Sequence, residues 1–221
     1  MKKLSVFYLS FMMSAFLVLQ AGCGEDNENN QNPDVTASTD TISGVLKYRT
    51  TEGTVITLAD WPFGPGMLRV VIGGENVAST ALQSDGNFTV ILPGTVKGSN
   101  FTKLSDFTIT YGGTVKAIPE TAMYVGTTQF IVDYTENSIA KNMTISEVVL
   151  NHNNTIYRNY YHYFYDGDGS LSGTGTAGNT FNWVFSKGWG TVESYMSTTT
   201  PPYVISSKSV AAAPANAVWI N

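Results

Sequence analysis

From about Thr41 onward the chain is written in short stretches of alternating apolar and polar residues, rich in Val, Ile, Thr, Tyr and Phe and cut by Gly, Asn, Asp and Pro. Alternation sends successive side chains to opposite faces of a strand, and turn residues every ~8–12 positions are characteristic of sandwiches. The pattern predicts strands over Ile42–Tyr48, Thr54–Leu58, Met67–Ile72, Val77–Leu82, Asn87–Leu92, Phe107–Tyr111, Thr128–Tyr134, Ile156–Tyr165, Thr180–Ser186, Thr191–Met196 and Tyr203–Ser207. Helical periodicity is almost absent; the one candidate, Ile139–Leu150, with Thr144, Ile145, Val148 and Val149, suits another strand equally well. Ser84-Asp85-Gly86-Asn87 and Gly73-Gly74 supply the positive φ that tight hairpins need. The expectation is an all-β fold, an antiparallel β-sandwich. Gly112-Gly113 and Pro119 interrupt the pattern and divide it into two closely packed lobes, 41–118 and 119–221.

The first 22 residues have a different texture. Lys2 and Lys3 precede a run from Leu4 to Leu19 that is apolar apart from Ser5, Ser10 and Ser14, the layout of a secretion signal and short of the about 20 residues a membrane span needs. The run ends in Leu19-Gln20-Ala21-Gly22-Cys23. This resembles the lipobox of bacterial lipoproteins, departing from it at Gln20, where an aliphatic residue is usual. The resemblance implies cleavage before Cys23, acylation of that residue and attachment to a membrane through acyl chains. Cys23 is the only cysteine, so the exported fold contains no internal disulfide.

Removing the signal leaves 10 basic against 17 acidic side chains, a net charge of −7, which argues against nucleic acid as a partner. The segment Gly24-Glu25-Asp26-Asn27-Glu28-Asn29-Asn30-Gln31-Asn32-Pro33-Asp34 has no apolar residue, and 23–40 reads as a disordered acidic, Asn-rich stalk. Its acidic start resembles the surface-export tract of Bacteroidetes lipoproteins, which implies an outer-membrane protein displayed at the cell surface; a plain periplasmic spacer is the other reading.

Two further segments carry a resemblance. Ile42-Ser43-Gly44-Val45-Leu46, followed by Asp85-Gly86-Asn87-Phe88-Thr89-Val90-Ile91-Leu92-Pro93, resembles the transthyretin-like and carboxypeptidase-regulatory-like sandwiches. Phe185-Ser186-Lys187-Gly188-Trp189-Gly190-Thr191-Val192 is similar to a stretch of small uncharacterised Bacteroidetes lipoproteins. Both are scaffold signatures and imply no chemistry.

Residues able to do chemistry are few. Only His152 and His162 are present, and no nucleophile elbow, zinc-protease motif or phosphate loop occurs. Alternation in Tyr160-Tyr161-His162-Tyr163-Phe164-Tyr165 sets His162 on one face with Tyr160 and Phe164, as a packed or rim histidine, and Tyr161, Tyr163 and Tyr165 on the other. Asp166 and Asp168 in Asp166-Gly167-Asp168-Gly169-Ser170 are weak calcium candidates, since the third acidic ligand and downstream Glu of an EF-hand are missing; a hairpin turn accounts for them. The expectation is therefore no cofactor and no enzymatic activity. Asn87, Asn100 and Asn142 open chance glycosylation sequons, and Asp40-Thr41-Ile42 resembles a Bacteroidetes O-glycosylation tripeptide.

Aromatic residues remain as contact candidates. Tyr161, Tyr163 and Tyr165 could stack on sugar rings or fill a core. Trp61 and Phe63 lie in Trp61-Pro62-Phe63-Gly64-Pro65-Gly66, where the prolines and glycines bar a regular strand, leaving either an exposed contact loop or a plug at one end of the sandwich. Three functions follow in order: a non-catalytic surface module making protein contacts in an envelope or adhesion assembly, a glycan-binding accessory protein, and a hydrolase. A fimbrial subunit is a special case of the first, with the tail Ser209–Asn221 as a donated strand or an ordinary edge.

Overall fold

The computed structural model describes residues 32–52, 55–126, 128–145, 147–153, 156–197, 205–213 and 217–220. The signal segment, Cys23 and the acidic run up to Gln31 lie outside the described residues. The fold is all-β, with antiparallel sheets packed face to face. The first strands are β1 (Val35–Thr36), β2 (Asp40–Glu52), β3 (Val55–Asp60), β4 (Gly66–Ile72), β5 (Glu75–Leu82), β6 (Asn87–Leu92), β7 (Thr95–Val96) and β8 (Thr102–Lys103). After a short helix α1 (Ser105–Tyr111) come β9 (Lys116–Ile118), β10 (Met123–Val125), β11 (Thr128–Glu136), β12 (Ile139–Thr144) and β13 (Glu147–Asn153). The last are β14 (Ile156–Tyr165), β15 (Gly169–Thr174), β16 (Thr180–Phe185), β17 (Gly188–Ser197), β18 (Ile205–Val210) and β19 (Val218–Ile220).

One sheet holds four strands in the order β12-β11-β4-β5. A second runs β3-β2-β19-β13-β14-β17-β18-β16-β15-β9, with β6, β8 and β10 paired beside this path, and β1 and β7 form a separate two-stranded sheet. The inward residues alternate as the pattern predicts: in β6, Phe88, Val90 and Leu92 are buried and the residues between them are not. The two segments that carry the transthyretin-like resemblance lie side by side, with Ile42 opposite Val90 and Gly44 opposite Phe88. The hairpin glycines Gly73, Gly74 and Gly86 all have positive φ.

Four expectations are corrected. First, Phe107–Tyr111 is helix, not strand. Spacing of i and i+4 stacks Phe107 on Tyr111, 5.3 Å apart, and lays both rings against Phe181. Gly112, at φ 60°, ends the helix as a left-handed cap. Second, Ile139–Leu150 falls in two strands, β12 and β13. Third, the stalk does not extend to residue 40: β1 pairs with β7, Asp34 accepts a hydrogen bond from the Gly98 amide at 3.1 Å, and Val35 and Ala37 pack against Val96, Phe101 and Phe164. A Cβ on Gly98 would fall 1.6 Å from the Asn32 carbonyl, so only glycine lets the chain dock there.

Fourth, strands on either side of Gly112–Met123 do not segregate into two lobes. β4 pairs with β11 and β2 pairs with β19, so both sheets contain early and late strands. Two larger cores do exist. One lies between the sheets around Leu46, Leu68, Phe130 and Trp219; the other lies on the far face of β14 around Leu104, Tyr165, Leu171 and Trp183. β14 separates them, sending Tyr160 into the first and Tyr165 into the second.

The C-terminal strand is interior rather than an edge. β19 lies between β2, which it pairs in parallel, and antiparallel β13. Trp219 is 2% exposed and meets Phe88, Phe130 and His162, at 5.1, 4.7 and 5.8 Å between ring centroids. Its indole occupies the space above Gly44, where a Cβ would lie 2.3 Å from Nε1. Trp219→Ala should therefore cost about 3–5 kcal/mol in urea unfolding, and Gly44→Ala about 1–3 kcal/mol by overpacking. In the Trp219→Ala background the Gly44 substitution should cost much less, because its methyl enters the vacated space. Additive losses would show that the two residues do not share that volume.

Candidate functional site

β14 presents its two rows as alternation requires. Arg158, Tyr160, His162 and Phe164 face the four-stranded sheet, and in register with them on β17 stand Tyr195, Glu193, Thr191 and Trp189. Lys208 on β18 lies next to Glu193. Glu193 is buried, and it is well partnered: it accepts a hydrogen bond from the Tyr160 hydroxyl at 3.0 Å and has Arg158 at 3.5 Å and Lys208 at 3.7 Å. Burial and that bond push the Tyr160 hydroxyl up to about 12. The carboxylate is thus committed to holding three neighbours.

His162 is also buried. Its Nδ1 lies 3.2 Å from the Thr191 hydroxyl, and Nε2 has no hydrogen-bond partner among the described residues. The ring lies parallel to the Trp219 indole, within 8°. Burial lowers its pKa to about 4, against a smaller opposite pull from Asp40, so the imidazole is neutral near pH 7. No carboxylate bonds either ring nitrogen among the described residues, so the acid partner that a catalytic histidine uses is missing from this arrangement.

The other candidates are distributed as follows. Trp61 is 4% exposed, donates from Nε1 to the Gly64 carbonyl at 2.7 Å and packs against Phe63 and Tyr134; it is the plug rather than an exposed contact. Phe63 is half-buried between Tyr48 and Tyr134. Tyr165 is fully buried and stacked on Phe185 at 4.1 Å, so it is not available as a contact. Tyr161 and Tyr163 are half-buried and nearly parallel, and Tyr163 continues the row to Trp183 at 5.6 Å. Enclosure raises the Tyr163 hydroxyl well above its ordinary value.

Asp166 accepts a hydrogen bond from the Met123 amide and Asp168 one from the Lys187 amide, both at 2.9 Å. They staple the turn between β14 and β15 to neighbouring segments. Among the described residues no group of three His, Cys, Asp or Glu side chains is placed to hold a metal.

One concavity belongs to none of these. The β11–β12 hairpin projects past the start of β4: β4 pairs with β11 only as far as Asp133, whereas β12 follows β11 to Glu136. Between the projecting hairpin and the Pro65-Gly66 segment an open cleft of about 360 Å³ forms, lined on the hairpin side by residues 133–135 and 140–142. Arg69 clamps both oxygens of Asp133, with Nη2 at 2.8 Å from Oδ1. Lys141 is paired with Glu136. Phe63 and Trp61 support the Tyr134 ring.

Sequence reasoning missed this cleft because three separated segments build it. The available signal was Asn137-Ser138, which turns the hairpin with φ of 51° and 64°, values that asparagine tolerates better than most residues. No protein-family model, curated protein or solved structure matches the chain.

A pH prediction follows from His162. Its folded-state pKa lies below the unfolded value, so the neutral ring's contribution is intact above about pH 6.5 and is lost as pH falls towards 4. The loss should total roughly 3 kcal/mol, part of it between pH 6.5 and 5, before most carboxylates titrate. Urea titrations across that window should show the slope, and His162→Gln should flatten it. An unchanged slope in the variant would assign the proton uptake elsewhere.

Proposed function

We propose that the protein is a non-catalytic binding module of the bacterial envelope, held to the outer membrane through acyl groups on Cys23 and displayed at the cell surface, where it makes contacts within an envelope or adhesion assembly. The observation that carries this reading is polarity along the sandwich. The polypeptide enters the described domain at Asn32, and residues 32–37 are fastened beside Gly98 and a small apolar cluster of Ile72 (at the end of β4), Val96, Phe101, Val125 and Phe164. The cleft lies at the other end of β4 and β11. The nine residues of β11 separate the two ends by about 30 Å. With a lipid anchor upstream of Asn32, the chain joins the domain at the end opposite the cleft.

Supporting this reading, the groups best suited to chemistry are engaged in holding the fold: Glu193 with Tyr160, Asp166 and Asp168 with backbone amides, and His162 against Trp219. The acidic run after Cys23 supports surface display. Among the described residues no helix is long and apolar enough to cross a membrane. The C-terminal strand reads best as a built-in part of the sheet rather than one donated to a partner, because it is already paired on both sides.

Fractionation of cells making the full-length protein checks the anchor. The wild type should sediment with membranes and be lost when intact cells are treated with protease, and Cys23→Ala should appear in the soluble fraction. A variant that stays with the membrane would contradict lipid anchoring; a wild type resistant to protease would move the module to the periplasmic face.

A further inference from the structure

We infer that β12 is a self-association edge: it pairs antiparallel with β12 of a second copy of this chain, about a two-fold axis at Asn142, and joins the two four-stranded sheets into one. The inference goes beyond the reading of the protein as a binding module and needs neither the anchor nor the cleft. β12 ends its sheet in the order β12-β11-β4-β5, and among the described residues no strand pairs on its other side.

The ladder geometry shows which groups that edge presents. Along an antiparallel strand, residues that bond the neighbouring strand alternate with residues whose N–H and C=O point away from it. The Ile145 amide donates to the Phe130 carbonyl at 2.8 Å, and the two-residue turn Asn137-Ser138 closes on the pair Glu136 and Ile139. The residues bonded to β11 are therefore 139, 141, 143 and 145. Ala140, Asn142 and Thr144 direct their N–H and C=O outward, and all three residues are exposed. Sheet edges usually carry a guard against pairing: shortness, proline, a bulge or a charge in the path of an added strand. β9, at the end of the larger sheet, has 3 residues and runs into Pro119. β12 has 6 residues, an unbroken register with β11 and no proline. Its one charged side chain, Lys141, lies on the core-facing side with Tyr134 and is paired with Glu136.

Register and charge select a second copy as the occupant. With the axis at Asn142, the two Asn142 residues bond each other, and Ala140 of each copy bonds Thr144 of the other, so every outward N–H and C=O from 140 to 144 is satisfied. Moving the axis one residue either way gives up a bonded pair within the strand, and at Lys141 it also sets the two lysines face to face. In the Asn142 register, Lys141 stands opposite Met143 of the second copy instead. Ile139, 61% exposed at the hairpin end, comes to lie opposite Ile145 of the second copy, which gives it an apolar neighbour. On the outer face the facing side chains are Asn142 with Asn142 and Ala140 with Thr144, small and uncharged. Because Lys141 and Glu136 neutralise each other, two copies meet there without local repulsion although the chain as a whole is acidic.

Sedimentation equilibrium of the full-length protein in density-matched detergent reads the protein mass and tests the assignment. A monomer–dimer equilibrium is the expected result. Asn142→Pro removes an outward N–H and leaves the β11 ladder intact, and Ala140→Lys combined with Thr144→Lys sets like charges opposite each other across the axis. Each should raise the dimer's Kd about tenfold or more. Ala140→Glu combined with Thr144→Lys sets opposite charges at the same places and should keep the dimer. All three positions are exposed, so the thermal midpoint of the dilute monomer should be unchanged in every variant. A monomer at every concentration, a dimer indifferent to both the proline and the lysine pair, or a dimer weakened as much by the Glu/Lys pair as by the Lys/Lys pair would overturn the assignment. So would a monomer that instead captures extended peptides along β12. Because none of these readings involves Cys23, failure here leaves the membrane fractionation free to succeed or fail by itself.

Discussion

Three residues near the C-terminus hold the molecule together. β19 contributes backbone hydrogen bonds to β2 on one side and to β13 on the other, and without it two strand edges would be open in the middle of the larger sheet. Trp219 extends that role across the interior, touching Phe88 in its own sheet and Phe130 in the opposing one. The bare backbone at Gly44 makes room for the indole. Early and late segments of the chain are thereby locked into one body, and the apparent two-lobe arrangement survives only as two cores on opposite faces of β14.

That lock explains why the buried polar groups can be tolerated. Trp219 covers His162 and keeps its ring neutral, and the row Tyr160, Glu193, Lys208 crosses three adjacent strands, which satisfies a carboxylate that would be costly to bury alone. These side chains are committed inside the fold, and at one end the β11–β12 hairpin outruns β4. There the sheet stops being a sheet, and a cleft opens between the hairpin and a loop plugged by Trp61. The opposite end is occupied by the docked residues 32–37.

Much of this was legible in the residues. Alternation located β6 and β14 to the residue, and it assigned the two faces of Tyr160–Tyr165 correctly. It failed where two periods coincide: Phe107 and Tyr111 fit a strand and a helical i, i+4 pair equally, and only packing on Phe181 and Trp183 selects the helix, although Gly112-Gly113 already held the stop signal. Composition misjudged residues 32–40, because a polar segment can be fastened by a few backbone contacts, such as those at Gly98, that leave no hydrophobic signature. β19 and the cleft were out of reach for another reason. Both depend on which distant strands become neighbours, and a three-residue strand has no period of its own.

The claim on which the account rests, that β19 is a permanent central strand, is tested most directly by native-state hydrogen exchange of the full-length protein at the Trp219 and Ile220 amides, compared with those of β14 and of the edge strand β12. The structure predicts that they exchange only through global unfolding, with the protection of β14. Exchange as fast as that of β12, while β14 stays protected, would mean that the C-terminal strand detaches from a folded body, and that the two halves of the chain are held together by something else.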